Sequence, residues 1–258
     1  MDFQYKRINI YYTDKGEGLS VVLLHGFLEN SAMWNHFIPT LSQKNRIVCI
    51  DLLGHGNTGC LGYIHTMEDM AGAVAALLNH LKISSSIFIG HSMGGYVALA
   101  FAEKKPKNVI GLCLMNSTAL ADTEEKRLNR DRGILAVKQN HRTFIRMAIT
   151  NLFTPENRTI FADKIEALIF EAFQTPLQGV IAALEGMKIR KSQLETLKKG
   201  HYKKWMVIGK NDPALDYVSL IEQSKYADIH VVEFPDGHMS YIENESNLLH
   251  TILRFIEK

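Results

Sequence analysis

The chain has 258 residues, 46% of them apolar and 22% charged, with 18 glycines and 6 prolines; this balance excludes collagen-like and disordered classes. At this length one α/β core carrying an inserted segment is the expectation, because such folds routinely run to ~250 residues. Lys and Arg total 29 against 27 Asp and Glu, a formal charge of +2, and no basic run interleaves with aromatics, so a nucleic-acid partner is not expected.

The chain opens with Asp2, Lys6, Arg7, Asp14, Lys15 and Glu17, which fits neither a secretory nor a transit pattern. The apolar stretches at 19–24 and 71–78 fall far short of the ~20 residues that span a bilayer. A soluble cytoplasmic protein with no membrane partner is the expectation. Short β-branched runs at 8–13, 20–24, 46–50, 86–89, 109–115, 204–208 and 229–234 predict strands. Most are continuously apolar, as strands covered on both faces of a parallel sheet must be. Helical patterns lie between them. One at 70–81 is opened by Thr66 and Asp69 in a capping box, one begins near Met93 and closes at Lys104-Lys105-Pro106, and one at 217–226 is N-capped by Asp216. The alternation predicts a mostly parallel, doubly wound α/β sheet.

From 118 to 200 the strand signal stops. Asp122 with Glu125 predicts the start of one helix, while Thr154-Pro155 and Thr175-Pro176 each set a capping hydroxyl before a proline. Ile160, Phe161, Ile165, Leu168, Ile169 and Phe173 recur at helical spacing. The expected organisation is a core of 1–117 and 201–258, with 118–200 forming a helical lid plus a crossover helix over the sheet's carboxyl edge. Lys126, Arg127, Arg130, Arg132, Arg142 and Arg146 alternate with Glu124, Glu125 and Asp131 and read as a solvated helix face.

The sharpest local signal is Gly90-His91-Ser92-Met93-Gly94-Gly95, directly after the 86–89 run and before a helical stretch. A serine on a tight strand-to-helix turn needs small neighbours, because the backbone is strained and helix and strand pass close together. A serine is a weak nucleophile at its own pKa and needs a general base, which in turn needs an orienting acid. Two later strand ends supply both. Asp212 closes Ile208-Gly209-Lys210-Asn211-Asp212 after the 204–208 run, and His238 closes Pro235-Asp236-Gly237-His238 after the 229–234 run. Carboxyl ends of parallel strands share one edge of a sheet, so Ser92, Asp212 and His238 are expected in one crevice. Asn116-Ser117, after the 109–115 run, offers no carboxylate, and Asp51 reads as a residue that orders its own loop.

The elbow and the chain order Ser, Asp, His resemble the α/β-hydrolase fold family over essentially the whole chain. The chain resembles that family's compact, single-lid serine esterase and carbon-carbon hydrolase branch. His25-Gly26-Phe27 after the 19–24 run resembles that family's oxyanion loop. The resemblance implies that the backbone N–H groups of Phe27 and Met93 bind the oxyanion, and that Phe27, Leu28, Met93, Leu215 and Met239 line the pocket. It implies no cofactor and no metal. The activity implied is acyl transfer on a small, mostly neutral carboxylic ester, since no residue of that pocket set is cationic; one inward-pointing lid cation would instead admit an acidic substrate. Lyases and carbon-carbon hydrolases use the same triad, and a ligand-binding receptor without turnover is the alternative from another class. A menaquinone-pathway synthase-like lyase would carry Arg where this chain has Tyr96.

Gly54-His55-Gly56-Asn57-Thr58-Gly59 is a literal G-x-G-x-x-G. Cys60-Leu61-Gly62-Tyr63 follows where a dinucleotide-binding helix should open, and Asn79 and His80 stand where a ribose-binding acid belongs, so nucleotide binding is not expected. His91 is read as packing beside the elbow, His25 as bracing its loop, Glu29 as a solvated helix-leading carboxylate and Trp34 as core. Cys49, Cys60 and Cys113 are odd in number and lack CxxC spacing, which suits reduced thiols.

Overall fold

A computed structural model describes residues 1–257. Eight strands form one sheet: β1 (Asp2–Tyr5), β2 (Ile8–Lys15), β3 (Leu19–Leu24), β4 (Asn45–Ile50), β5 (Ser86–His91), β6 (Val109–Met115), β7 (Lys203–Gly209) and β8 (His230–Phe234). Their spatial order is β1-β2-β4-β3-β5-β6-β7-β8. β1 and β2 pair antiparallel with their neighbours, and every pairing from β4 to β8 is parallel. β1 carries no apolar run and alternates between exposed and half-buried residues, which is why the sequence pattern does not announce it. Such polar alternation suits an edge strand, whose outer face stays wet. β3 and β5, at the centre, are buried along nearly their whole length.

The helices are α1 (Ile38–Leu41), α2 (Met67–His80), α3 (Met93–Lys104), α4 (Glu124–Gln139), α5 (His141–Thr150), α6 (Pro155–Ile160), α7 (Ala162–Ala172), α8 (Leu177–Lys188), α9 (Leu194–Lys199), α10 (Tyr217–Tyr226), α11 (Ser240–Glu243) and α12 (Glu245–Ile256). Thr66, Thr154 and Asp216 cap α2, α6 and α10 as their sequences predict. Two predicted starts differ. Thr123, not Asp122, caps α4, because the Asp122 carboxylate is buried and engaged by the guanidinium groups of Arg130 and Arg190. α8 begins one residue after Pro176 with no side-chain cap, the fixed φ of proline holding the extended approach.

α3 is buried over ten of its residues, between β5 and α2, so its first turn is held rigidly at the sheet's carboxyl edge. Trp34 is fully buried as expected. All six helices from α4 to α9 lie between β6 and β7; α4 packs against α5 and α8, and α9 packs against α3. Among the described residues no single helix is long and apolar enough to cross a membrane.

Candidate active site

Ser92 stands between β5 and α3 with φ 48° and ψ −113°, a sparsely populated conformation that costs on the order of 1–3 kcal/mol and persists only where its surroundings enforce it. They do so here by close approach. A Cβ at Gly90 would strike the backbone of Gly94, and one at Gly94 would strike the carbonyl of Leu24. Ser92 N–H donates to the Met115 carbonyl at 2.9 Å, and Ser117 Oγ donates to the Ser92 carbonyl at 2.7 Å.

The loop after β8 brings His238 to this serine. Its Nδ1–H donates to Asp212 Oδ2 at 2.7 Å, which leaves Nε2 to accept from Ser92 Oγ at 2.9 Å. Asp212, on the loop after β7, accepts three further hydrogen bonds: Ala214 N–H at 2.8 Å and Leu215 N–H at 3.1 Å on Oδ1, and Asn116 Nδ2 at 3.3 Å on Oδ2. Burial pushes this carboxyl up, but the facing His238 and the donors outweigh it and hold Asp212 below the usual carboxylate range. The three residues predicted to meet are therefore in one hydrogen-bonded chain.

Asn116 is a site residue that sequence reasoning set aside. It sits at φ 44° after β6 and also donates from Nδ2 to the Gly237 carbonyl at 3.2 Å, so one amide ties the Asp212 loop to the His238 loop. A polar residue that tolerates left-handed backbone, placed at a strand's carboxyl end, was the available signal.

Glu29 is a correction. It is buried rather than solvated: its Oε2 accepts from Gly26 N–H at 2.6 Å and from His91 Nδ1 at 2.8 Å, with side-chain exposures of 3% and 1% for the pair. His91 Nε2 faces the His238 carbonyl at 3.1 Å, so both ring nitrogens point at acceptors and the ring is held as imidazolium. Burial pushes Glu29 up and His91 down, but their mutual attraction wins, leaving Glu29 below and His91 above their ordinary values. The pair joins three loops, those of Gly26, of the elbow and of His238. His25 braces its loop as expected, donating from Nδ1 to the Gly26 carbonyl at 2.7 Å and accepting Leu52 N–H on Nε2 at 2.8 Å.

Ser92 and His238 open onto a cavity of about 410 Å³. Phe27, Leu28, Phe144, Leu184, Met187 and Leu215 supply much of its apolar wall. Met93 and Met239, predicted to line the pocket, do not: both are fully buried in the hydrophobic core, Met93 on a helix covered on nearly all sides and Met239 at the turn into α11. The solvated-face expectation also fails in part. Arg127, Arg132, Arg142 and Arg146 are exposed, but Lys126 and Arg130 are half-buried and line the cavity beside Asp122 and Asn129. Asp122, whose side chain is 0% exposed, binds Arg130 Nε and, at 2.7 Å, Arg190 Nη1. Lys126 and Arg130, four residues apart, lie on one face of α4, but only Arg130 reaches that carboxylate; Lys126 Nζ donates to the Ala214 carbonyl.

The glycine-rich loop at 54–59 is filled by its own chain. Gly54 N–H donates to the Gly59 carbonyl, Asn57 N–H to Asp51 Oδ2 and Tyr11 N–H to Thr58 Oγ1, and α2 opens only at Met67. Asp51 also accepts Ser31 N–H at 2.8 Å, so it orders its loop as expected.

A family model described as alpha/beta hydrolase fold matches residues 20–245. The chain belongs to that family. It is 28% identical to a thermophilic esterase from Thermogutta terrifontis solved with malate bound, over 96% of this chain and 93% of that one, with a TM-score of 0.90. An enol-lactonase from Burkholderia xenovorans LB400 shares the fold at 21% identity over 97% of each chain, TM-score 0.89. The dihydrolipoyllysine-residue acetyltransferase component of the acetoin cleaving system of Pseudomonas putida is 25% identical over 245 residues, 93% of this chain. This chain spans 64% of that relative's length, and 38% and 41% of two further curated relatives.

Proposed function

We propose that this protein is a serine hydrolase of the carboxylesterase type, with Ser92 as nucleophile, His238 as general base and acid, and Asp212 as the orienting carboxylate. The observation that carries the reading is the continuous chain from Asp212 through His238 to Ser92 Oγ, with contacts of 2.7 and 2.9 Å, opening onto a cavity. In this reading Ser92 Oγ attacks the ester carbonyl while its proton passes to His238 Nε2. The tetrahedral intermediate collapses, its C–O bond to the alcohol breaks, and His238 returns the proton to the departing alkoxide. Water, deprotonated by the same Nε2, then cleaves the acyl-serine and regenerates the hydroxyl.

Phe27 and Met93 are the proposed oxyanion donors through their backbone N–H groups. Neither N–H donates elsewhere among the described hydrogen bonds, and the Glu29 carboxylate that fixes Gly26 would hold the Phe27 peptide in place. A preorganised donor of this kind is worth about 3–4 kcal/mol to the transition state. Leu28 and Leu215 are proposed as acyl- or alcohol-contacting walls. Residues 118–200 would act as a lid, with α9 serving the crossover, over a core of 1–117 and 201–258; cavity-lining residues on α4, α5 and α8 support this.

A cavity of about 410 Å³ suits a small ester. The test is a p-nitrophenyl ester series from acetate to palmitate, followed over many turnovers. kcat/KM should peak at about two to six acyl carbons, in keeping with a pocket near the small end of ligand sites. A maximum at twelve carbons or longer refutes the small-ester reading, and a single turnover followed by a stop refutes the hydrolase.

A further inference from the structure

The charged groups on the cavity wall do not balance. Asp122 uses Oδ2 for Arg130 and Oδ1 for Arg190 and Arg130, so its single charge is spent on two guanidinium groups. Lys126, on the same wall, takes part in no ion pair among the described residues; its Nζ donates only to the Ala214 carbonyl at 3.1 Å. The other carboxylates nearby are also committed, Asp212 to His238 and Glu29 to His91. Burial pushes the Lys126 ammonium down, with Arg190 and Arg130 adding to that push and only Asp122 and Asp212 opposing it. A half-buried cation without a counter-ion is an unmet electrostatic demand on the wall of a largely apolar cavity.

We propose that the preferred ester carries a carboxylate, and that Lys126 binds that group. The inference rests on the serine-hydrolase reading above for the word ester, but the anion site itself does not. The lysine touches the loop whose Ala214 N–H holds Asp212, so its head lies against the loop that supports the proposed triad. A carboxylate bound there would sit in the same cavity as Ser92. A single ammonium is a point charge that matches one carboxylate; the bidentate guanidinium of Arg130, which a phosphate would favour, is already occupied by Asp122. The substrate class is thus a monoester of a short dicarboxylic acid, or an ester of equivalent shape with one remote acid group.

Lys126 could instead be a strap that merely ties α4 to the Ala214 loop, and the experiment separates the two roles. Monoethyl glutarate and ethyl pentanoate have acyl chains of equal length and differ in the terminal carboxylate. Hydrolysis of each is followed by pH-stat. The ratio of kcat/KM, charged over neutral, should fall about 10-fold or more in Lys126→Met and in Lys126→Gln, and survive in Lys126→Arg. Equal loss on both esters leaves the ratio unchanged, makes the lysine a strap and overturns the proposal.

Calorimetry on the Ser92→Ala protein gives the second arm, without turnover. Monoethyl glutarate should bind, and adding Lys126→Met should weaken its Kd about 10-fold or more. No binding, or a Kd that Lys126→Met leaves unchanged, overturns the anion site. Lys126-dependent binding in a protein whose wild type hydrolyses neither ester would sustain the anion site while sinking the hydrolase reading.

Discussion

The carboxyl edge of the sheet and three of the helices between β6 and β7, namely α4, α5 and α8, build the two sides of one cavity by different means. At the sheet edge each key group sits on the loop directly following a strand: Ser92 after β5, Asn116 after β6, Asp212 after β7 and His238 after β8. Register in the sheet then sets their separations, and the polar atoms meet at 2.7 to 3.3 Å. On the helical side, Asp122, Lys126, Arg130 and Arg190 come from the loop before α4, two turns of α4 and the loop after α8, joined by long side chains. The first arrangement is held by backbone geometry, the second by charge. The proposed chemistry is therefore encoded in short motifs, and the proposed selection in contacts that no motif announces.

The comparison breaks most visibly at the nucleophile. Ser92→Ala should lower kcat by about 10⁴- to 10⁶-fold and abolish labelling by a fluorophosphonate probe, while leaving the circular dichroism spectrum unchanged. Undiminished labelling would remove the serine from the chemistry.

Asp212→Asn comes next. The amide retains the shape but can no longer fix the Nδ1–H tautomer of His238, and a loss of about 10⁴ in kcat is expected with folding intact. If Asp51→Asn costs more activity than Asp212→Asn while both fold, the acid has been misassigned.

On the helical side the same class of change should act on stability before chemistry. Asp122→Asn leaves Arg130 and Arg190 without their shared carboxylate, and removing one partner of a buried ionic group costs about 3 kcal/mol or more. The denaturation midpoint should fall while kcat on a neutral ester drops far less than in the Asp212 variant. Equal losses of kcat in the two variants would erase the distinction between the regions.

That distinction also explains what could be read in advance. The chain order of Ser, Asp and His, the elbow and the caps at Thr66, Thr154 and Asp216 are local patterns, and the structure has each where its pattern puts it. Burial of Glu29 is not legible in the sequence, because its partner, His91, is 62 residues away and no helical or strand period connects them. The inward turn of Lys126 and Arg130 is not legible either, because an alternating run of charges looks the same whether it faces water or an ionic wall, and Asp122 looks the same whether it caps or pairs. The family resemblance implies Met93 and Met239 in the pocket, but a side chain beside a site in sequence can point into the core, and both do.

The Glu29–His91 pair sharpens the comparison through pH. Glu29 is held below its ordinary value, so its contribution is present above about pH 4.5 and lost as pH falls through the folded-state value. His91 is held above its ordinary value, so its contribution is complete below about pH 6.5 and lost as pH rises through its folded-state value. The stability gap between wild type and Glu29→Gln should therefore be largest between about pH 4.5 and 6.5, at about 3 kcal/mol, and narrow on the alkaline side. Urea unfolding at half-unit pH steps measures it. A gap that is flat from pH 4 to 9 would mean the pair is not ionic.

The smallest effect is expected at Asn116, and it discriminates between orienting and merely filling space. Its Nδ2 donates to Asp212 Oδ2 and to the Gly237 carbonyl at 3.3 and 3.2 Å, so it links the acid's loop to the base's loop without touching Ser92 or the proton in transit. Alanine would be an ambiguous probe, because Asn116 sits at φ 44° and a Cβ is disfavoured there. Asn116→Gly keeps that backbone accessible while removing the whole side chain, amide included. A hydrogen bond to a charged group is worth about 1.5–3 kcal/mol, but Asp212 retains two backbone donors and His238. The expected loss in kcat is therefore at the low end, about 10-fold, with KM unchanged. A loss confined to KM would show that the amide spaces the two loops and does not support the carboxylate.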